Sequence, residues 1–220
     1  MSRLVWVNGI GGPLPVPFGV LDEPMDAIDG DYIMTGSEWD ELVWVWRQTD
    51  VPKGCKVEII KGLITVTPYS ACAHHVIAEC LQRRFYDVIP QEWGVYQRLA
   101  TAVPPRREIY VPDLAVVPQE ELRTGDDHLV PIAAAGLVVE VTSKATAHND
   151  RTTKAAGYAE AGVPLYLLVN PVAPDGPAIT LYGEPQRDVY RALRAAEFGD
   201  RIELPAPFHL SLDTSEFPVG

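Results

Sequence analysis

Two short apolar stretches, residues 109–117 and 137–141, constrain the fold of this chain most strongly, because each carries one carboxylate, Asp113 and Glu140. A continuous apolar run of this length is typical of a strand buried on both faces of a sheet. Burying an ionised carboxylate without a partner costs a great deal of free energy. Two such acids repel each other unless a cation lies between them or one holds a proton. The pair therefore predicts a cation site, and a divalent metal ion is the simplest occupant.

The two acids can share one ion if their strands are neighbours. Side chains alternate along a strand, and the residues on the same face as Asp113 and Glu140 are small enough to leave room for a ligand. Hard carboxylate oxygens suit Mg²⁺ or Mn²⁺ better than Zn²⁺. Glu58, in a predicted strand upstream, and His74, at the start of a predicted helix, are further candidates for this site.

Hydrophobic periodicity and turn residues divide most of the chain into short elements. Helices are predicted from a capping box at residues 35–38 to near Pro52, over residues 74–89, and over residues 150–161 with Asn149 or Asp150 as the cap. Strands are predicted in a hairpin at residues 56–67, at 93–103, 109–117, 137–141, 165–170 and 178–182, with two short ones across Tyr190 and Ile202 that complete an edge of the sheet.

This order of elements predicts an α+β fold, close to α/β, with a central mixed β-sheet flanked by helices. The strands at 93–103 and 109–117 are expected to be neighbours in one sheet. A chain of 220 residues fits a single domain. We expect that domain to span residues 34–220 and to follow an irregular arm at residues 1–33, where glycine and proline interrupt any periodicity.

Composition and charge bear on the class of protein. Hydrophobic residues at 47% and charged residues at 22% are typical of a globular chain. No apolar stretch approaches the roughly 20 residues of a membrane helix, so we expect no membrane association and a cytoplasmic location. The 3 cysteines lack C-x-x-C spacing, which predicts reduced, mostly buried thiols. With 18 Lys and Arg against 30 Asp and Glu, the net charge of -12 is opposite to that of a typical nucleic-acid binder.

Two side chains of the third predicted helix can reach the end of the Glu140 strand. Lys154 and Tyr158 are four residues apart, so they project from one face of that helix. The alternative is a solvated helix face on which the tyrosine ring packs. Gln97 lies on a predicted strand that can also face the site.

The acids and His74 each have a structural alternative to a functional role. Asp113 could accept backbone amides in a turn, and Glu140 could form a buried ion pair with Arg151. Glu58 could be an exposed strand residue. His74 could cap the second helix or point to solvent.

Several motifs in this chain resemble those of a known family in their order and spacing. The motifs are Val111-Pro-Asp113, residues 138–143, residues 150–154 and residues 158–164, with residues 58–62 and 68–77 upstream. Together, over residues 35–171, they resemble the Uma-two family of restriction endonuclease-like proteins within the PD-(D/E)xK nuclease superfamily.

The resemblance implies a restriction-endonuclease-like core and hydrolysis of DNA phosphodiester bonds that depends on Mg²⁺ or Mn²⁺. Asp113, Glu140 and Glu58 would hold the metal ion. The superfamily pattern expects a lysine two residues beyond the second acid, where this chain has Thr142. In this family a lysine from the following helix takes that role, and Lys154 matches it.

Several alternatives stay open at this stage. Lys144 is a second, weaker candidate for the lysine that is missing at Thr142. A nuclease-fold protein without cleavage activity, acting as a binding or assembly module, is the alternative function, because nonspecific DNA affinity depends on Lys and Arg contacts to phosphate. A local basic rim could still form from Arg83, Arg84, Arg98, Arg106 and Arg107. A homodimer is also open, since nucleases that cut both strands often act as dimers.

Overall fold

The computed structural model describes residues 6–7, 37–68, 71–124 and 129–218. Its helices are α1 (Glu38–Gln48), α2 (Cys72–Tyr86), α3 (Gln119–Thr124), α4 (Ala147–Asn149), a π-helical segment (Asp150–Lys154) and α5 (Ala155–Glu160). Its strands are β1 (Trp6–Val7), β2 (Lys56–Ile60), β3 (Leu63–Thr67), β4 (Trp93–Gln97), β5 (Thr101–Val103), β6 (Glu108–Tyr110), β7 (Leu114–Pro118), β8 (Val130–Pro131), β9 (Leu137–Val141), β10 (Leu165–Asn170), β11 (Ala178–Gln186), β12 (Val189–Glu197), β13 (Arg201–Leu204) and β14 (Leu210–Asp213). Of the predicted arm at residues 1–33, only β1 lies within the described ranges.

Two six-stranded sheets organise the described residues. The central sheet has the order β12-β11-β10-β9-β7-β4, and the N-terminal sheet has the order β1-β3-β2-β6-β5-β8. Strands β9 and β10 pair in parallel, whereas β7 pairs with β9 antiparallel, so the central sheet is mixed. Helices α2 and α5 pack against it. The α+β fold with a mixed sheet flanked by helices is therefore confirmed.

The core lies on both faces of the central sheet. On one face, apolar residues of α2 such as Phe85 and Leu81 pack with those of β9 and β10 and of the small β13–β14 sheet. On the other face, Tyr158 of α5 packs against Val138 and Tyr166. All residues of β9 and β10 are buried, as their apolar runs predict. Burying a side chain such as Phe85 stabilises the fold by about 1.5–3 kcal/mol.

Two predicted strands are each divided between the two large sheets, which corrects the prediction. Residues 109–117 form the end of β6 in the N-terminal sheet and most of β7 in the central sheet. Residues 93–103 likewise form β4 and β5, and the left-handed backbone of Arg98 (φ 56°) interrupts them. Pro112 lacks a backbone N–H and cannot donate to a strand ladder. The two segments do pair, β4 with β7 and β5 with β6, but Asp113 lies where the chain crosses between the sheets.

The helix starts differ from those predicted. Ser37 caps α1 in a capping box with Asp40, and Thr35 of the predicted box lies outside the described residues. The third helical stretch begins at Ala147 rather than at residue 150, because Ser143 and Thr146 exchange reciprocal side-chain to backbone hydrogen bonds of 3.3 and 3.1 Å one turn earlier. The predicted caps, Asn149 and Asp150, are therefore inside the helix.

The C-terminal region also differs in detail from the prediction. Strand β11 runs to Gln186, and the strand across Tyr190 is the long β12. The strand across Ile202 pairs with β14 in a separate two-stranded sheet instead of completing an edge of the central sheet. Cys72 is exposed and the other two cysteines are half-buried, so the prediction of mostly buried thiols is wrong. In the part of the chain that the structure describes, no helix is long and apolar enough to cross a membrane.

Candidate active site

A buried group of charged side chains lies where the two large sheets meet the helical stretch that follows β9. We call it the carboxylate cluster. Its members are Glu58 and Lys56 on β2, Asp113 at the crossover before β7, Glu140 on β9, and Asp150 and Lys154 in the π-helical segment. The structure thus brings together all four residues predicted to be catalytic and adds Lys56 and Asp150.

Lys154 lies at the bottom of this cluster. Its Nζ atom is 2.7 Å from Glu58 Oε1, 2.9 Å from Glu140 Oε1 and 3.5 Å from Asp150 Oδ1. The side chain is only 1% exposed. The first two distances are those of hydrogen bonds, whereas Asp150 is only in ionic contact, since its Oδ1 atom has no hydrogen-bond partner. A solvated helix face, the alternative for Lys154, is therefore wrong.

The helix after β9 positions both Lys154 and Tyr158 against Glu140, as the spacing of the two residues predicts. The Tyr158 hydroxyl donates a 2.7 Å hydrogen bond to Glu140 Oε1. Glu140 shares its strand face with Val138, which packs in the same core as Tyr158. The π-helical segment widens the turn between Asp150 and Lys154, and such local widening is frequent at functional sites.

Asp113 is held by two donors that bind the same carboxylate oxygen. Its Oδ2 atom accepts 2.8 Å and 2.9 Å hydrogen bonds from the backbone N–H of Val141 and from His74 Nε2, respectively. The register of β7 with β9, in which Leu114 faces Val139, brings Asp113 beside the strand that carries Glu140. The structural alternative for Asp113 is wrong, because the backbone amide that it accepts belongs to Val141 on β9 and not to a turn after Pro112. His74 binds this acid instead of pointing to solvent.

The structural alternative for Glu58 is also wrong, whereas the one for Glu140, a buried ion pair, is right in kind but not in its partner. Glu58 is 1% exposed, and its Oε1 atom accepts a 2.8 Å hydrogen bond from the backbone N–H of Val111, so it is not an exposed strand residue. Glu140 is also 1% exposed and bonds to Lys154 rather than to Arg151, which is exposed. Both acids therefore face the cluster.

Lys56 is a member of the cluster that sequence reasoning missed. Its Nζ atom lies 3.6 Å from Asp113 Oδ1, 3.9 Å from Glu140 Oε2 and 4.0 Å from Glu58 Oε2. Strand alternation could have found it, because residues two apart on β2 share a face with Glu58. From the sequence, Asp150 was interpreted only as a helix cap. It faces Lys154 because the helical stretch starts earlier, at Ala147, so that both residues lie inside it.

Burial and charge act in opposite directions on the carboxylates. Burial raises the pKa of Glu140 to about 8, because Lys154 and Lys56 offset the loss of solvent only in part. Burial also raises the pKa of Asp150. For Glu58, burial opposes ionisation, but Lys154 and Lys56 outweigh it and hold the pKa below its ordinary value.

For Asp113, burial likewise opposes ionisation, but Lys56 and the hydrogen bond from His74 lower the pKa. The pKa of Lys56 is raised, since Glu58 and the other acids outweigh the effect of burial. The cluster holds four carboxylates and two ammonium groups. It therefore carries an excess of two negative charges, of which a proton on Glu140 neutralises one and a divalent cation can neutralise both.

A cavity of about 320 Å³ gives access to one side of the cluster. Its lining includes Lys56, His74, His75, Gln97, Arg98, Asp113 and Lys144. Among the lining residues in the described part of the chain, Asp113 is the sole acid. Glu58, Glu140 and Lys154 are not among these residues and are each 1% exposed, so they lie behind the cavity wall.

The remaining predicted residues have defined positions. Gln97 lines the cavity and donates a 2.7 Å hydrogen bond to Gln82. Thr142, at the position of the expected lysine, is buried and donates a 2.8 Å hydrogen bond to Asn170 Oδ1. Lys144 lines the cavity but is outside the carboxylate cluster.

The predicted basic rim of five arginines does not form as one surface. Arg98 lines the cavity and donates two 2.8 Å hydrogen bonds to the carbonyl oxygens of residues 54 and 55. Arg106 pairs with Glu108 and Glu160, and Arg107 pairs with Glu38. Arg83 and Arg84 line a separate depression on α2.

The donor set suits a hard divalent cation, although the arrangement is not a preformed metal cage. In the described part of the chain, no three His, Cys, Asp or Glu side chains are placed so that they could already hold a metal ion. Asp113 Oδ1 and Glu140 Oε2 nevertheless approach the same point, which the Lys56 ammonium marks at 3.6 and 3.9 Å. Both distances exceed those of hydrogen bonds, and carboxylate oxygens are the ligands that Mg²⁺ and Mn²⁺ prefer.

A mixed sheet flanked by helices, with buried carboxylates at the junction of two sheets, defines a nuclease-like α+β fold. The chain belongs to the Uma2 family, described as "Putative restriction endonuclease", whose family model matches residues 45–215. The fold is similar to that of a "putative nuclease belonging to DUF820" from Anabaena variabilis, with a TM-score of 0.62 at 17% identity, covering 83% of this chain and 97% of that chain. No curated protein matches the chain. The family resemblance predicted from the motifs is confirmed.

Proposed function

We propose that this protein is a metal-dependent endonuclease that hydrolyses phosphodiester bonds of DNA. The observation that carries the proposal is the convergence of Glu58, Asp113 and Glu140 with Lys154 in one buried cluster beside a cavity. In the hydrolysis, a water molecule attacks phosphorus, one P–O ester bond breaks, and the departing oxygen receives a proton.

Asp113 and Glu140 would hold Mg²⁺ or Mn²⁺, with Glu58 completing the negative site. When bound, the ion supplies polarisation of a phosphoryl oxygen and a lowered pKa for a bound water. His74 fixes the orientation of Asp113 through the 2.9 Å contact, and Lys154 fixes Glu58 and Glu140. These contacts keep the carboxylates in place while the substrate approaches.

The cavity wall favours an anionic substrate in spite of the net charge of -12. Lys56, Arg98 and Lys144 line the cavity beside the single carboxylate of Asp113. A local excess of positive charge attracts phosphate even when the whole chain is acidic. This local charge supports an anionic substrate such as DNA in the cavity, and the cleavage assay separates a nuclease from a binding module.

The test is cleavage of labelled DNA with Mg²⁺ or Mn²⁺, using supercoiled, linear duplex and single-stranded substrates. Glu140→Gln and Asp113→Asn should each lower the rate by at least about 100-fold, more than the loss of an outer-shell partner costs. Glu41→Gln, on the exposed face of α1, is the matched control and should cleave like the wild type. If the wild type cleaves none of the three substrates above the Glu140→Gln level, the enzymatic proposal is wrong, and DNA retention in a gel-shift assay would then favour the binding module.

We also propose a single nuclease domain over residues 34–220 that acts in the cytoplasm, either alone or as a homodimer. Molecular mass measured by light scattering, with and without DNA, separates the monomer from the homodimer. A mass near 24 kDa without DNA, and near 24 kDa plus the mass of one DNA molecule with it, would contradict the homodimer.

A further inference from the structure

The two lysines of the carboxylate cluster have different positions relative to the cavity. Lys154 is 1% exposed and lies behind the wall, whereas the Lys56 side chain is 12% exposed and forms part of the wall. A phosphate group in the cavity could therefore meet Lys56 first. To reach the same phosphate, Lys154 would have to pass the carboxylates that it binds.

The two lysines also differ in how closely they approach the carboxylates, and the more exposed Lys56 is the less closely bound. Lys154 is committed to Glu58 and Glu140 at 2.7 and 2.9 Å. Lys56 approaches its nearest carboxylate, Asp113, at 3.6 Å, which is longer than a hydrogen bond. The Lys56 ammonium can therefore turn to a ligand in the cavity without breaking a short hydrogen bond to the cluster.

We propose that Lys56 is the catalytic lysine that contacts the scissile phosphate, and that Lys154 is a positioning residue that holds Glu58 and Glu140. The proposal rests on the nuclease function proposed above and assigns the lysine role within it. Lys56 donates hydrogen bonds to a nonbridging phosphate oxygen and stabilises the negative charge that develops there during attack by water. It thereby supplies, from β2, the cation that the chain lacks at Thr142.

The position of Lys56 has a consequence that does not depend on catalysis. Its ammonium lies within 4.0 Å of Asp113, Glu140 and Glu58, so it shares these oxygens with any cation that binds between them. Removing the ammonium should strengthen the binding of Mn²⁺ several-fold, because like charges repel. Removing Lys144, which lines the cavity but is outside the cluster, should leave Mn²⁺ binding unchanged.

The experiment compares Lys56→Met, Lys56→Arg, Lys154→Met and the matched cavity control Lys144→Met. Lys56→Met should lower the thermal midpoint less than Lys154→Met, because Lys56 makes no short hydrogen bond to the cluster. It should lower kcat about 10²- to 10³-fold, as loss of a transition-state donor does. Lys56→Arg should restore part of kcat. Lys144→Met should change KM more than kcat. Lys154→Met should lower the thermal midpoint, since its loss leaves buried acids without their cation.

The outcomes separate this proposal from the nuclease proposal. If Lys56→Met is folded and its kcat stays within about threefold of the wild type, the role of Lys56 is wrong and the nuclease function stands. If the wild type does not cleave DNA, the nuclease proposal fails; affinity for a labelled oligonucleotide in the presence of Mn²⁺ then decides whether Lys56 contacts phosphate. An affinity that Lys56→Met lowers more than Lys144→Met supports the contact, and equal affinities overturn it. The affinity for Mn²⁺ is measured by calorimetry. If Lys56→Met binds Mn²⁺ as the wild type does, the proposed position and role of the Lys56 ammonium are also wrong.

Discussion

Glu140 shows how burial and charge compete within this cluster. It lies 2.9 Å from one ammonium group and accepts a second hydrogen bond from Tyr158, yet burial raises its pKa to about 8. The carboxylates outnumber the ammonium groups, and Asp150 and Asp113 add negative charge near Glu140. In the absence of a divalent ion, a proton on Glu140 is therefore the means by which the protein neutralises part of this charge.

The raised pKa of Glu140 predicts that stability depends on pH. Between about pH 4.5 and 8 the folded chain holds a proton that the unfolded chain has lost, so the free energy of unfolding should fall as the pH rises through this window. Asp150, whose pKa is also raised, acts in the same direction. The lowered pKa values of Asp113 and Glu58 matter only at more acidic pH.

Urea unfolding at several pH values between 5 and 8, with a chelator present, measures this dependence. Glu140→Gln should flatten the slope and leave the smaller contribution of Asp150. Glu41→Gln, on the exposed face of α1, is the control and should keep the slope of the wild type. If the free energy of unfolding of Glu140→Gln depended on pH as strongly as that of the wild type, the raised pKa would not belong to Glu140.

At the scale of elements, the close approach of α5 to the N-terminal sheet places Lys154 and Tyr158 in the site. Gly157 makes this approach possible, because a Cβ atom there would meet the Tyr110 hydroxyl and lie 2.6 Å from its Cε2 atom. Tyr110 and Tyr158 pack edge to face with ring centroids 5.3 Å apart. The position of α5 therefore depends on the absence of a side chain at Gly157 as well as on the packing of Tyr158 against Tyr110.

Gly157→Ala should destabilise the protein even though alanine favours helix by about 1 kcal/mol. Overpacking against a buried tyrosine costs about 1–3 kcal/mol and should shift α5 away from Tyr110. Chemical unfolding gives the change in stability, and cleavage assays should show a parallel loss as Lys154 moves. Gly157→Ala should cost less in a Tyr110→Leu background than in the wild type, because the ring that the added methyl group meets is then absent. A single variant as stable as the wild type would show that the contact does not limit packing.

At the scale of the whole molecule, charge is distributed unevenly. The chain has a net charge of -12, yet Lys56, Arg98 and Lys144 line the cavity over the cluster. Much of the other basic charge described in the structure is paired on the surface, as Arg107 is with Glu38. We therefore expect the site to attract phosphate locally, while the rest of the surface repels nonspecific DNA.

Divalent ions should stabilise the folded protein because they bind the cluster only when it is assembled. At a concentration 100 times Kd the gain is about 2.7 kcal/mol, which raises Tm by about 5–10 °C for a domain of this size. Asp113→Asn/Glu140→Gln should lose the response to Mg²⁺ and Mn²⁺ measured by differential scanning calorimetry. An equal shift in the double variant would place the ion elsewhere.

Local pattern in the sequence was sufficient for several elements and for the acids. The apolar runs of β9 and β10 and the hairpin turn at Lys61-Gly62 depend on residues close in the chain, and each formed as predicted. Apolar runs also identified the two acids, Asp113 in residues 109–117 and Glu140 in β9. A carboxylate among buried apolar residues needs a partner wherever the strands lie. The spacing of Lys154 and Tyr158 likewise placed both on the helix face that meets Glu140.

Only the tertiary structure decided how these pieces share one site. The change of sheet around Pro112 is invisible to periodicity, because an apolar run has the same pattern whichever sheet its strand joins. Lys56 enters the cluster through contacts with acids distant in sequence, such as Asp113 at the crossover before β7. Asp150 enters it across a π-helical turn that brings it near Lys154. Sequence by itself determined that Asp113 and Glu140 must be neutralised, since each lies in an apolar run and the cost of burying charge is local. The way in which the two large sheets meet determined which lysines neutralise these acids. The distances between side chains on different sheets are not encoded in any local sequence pattern.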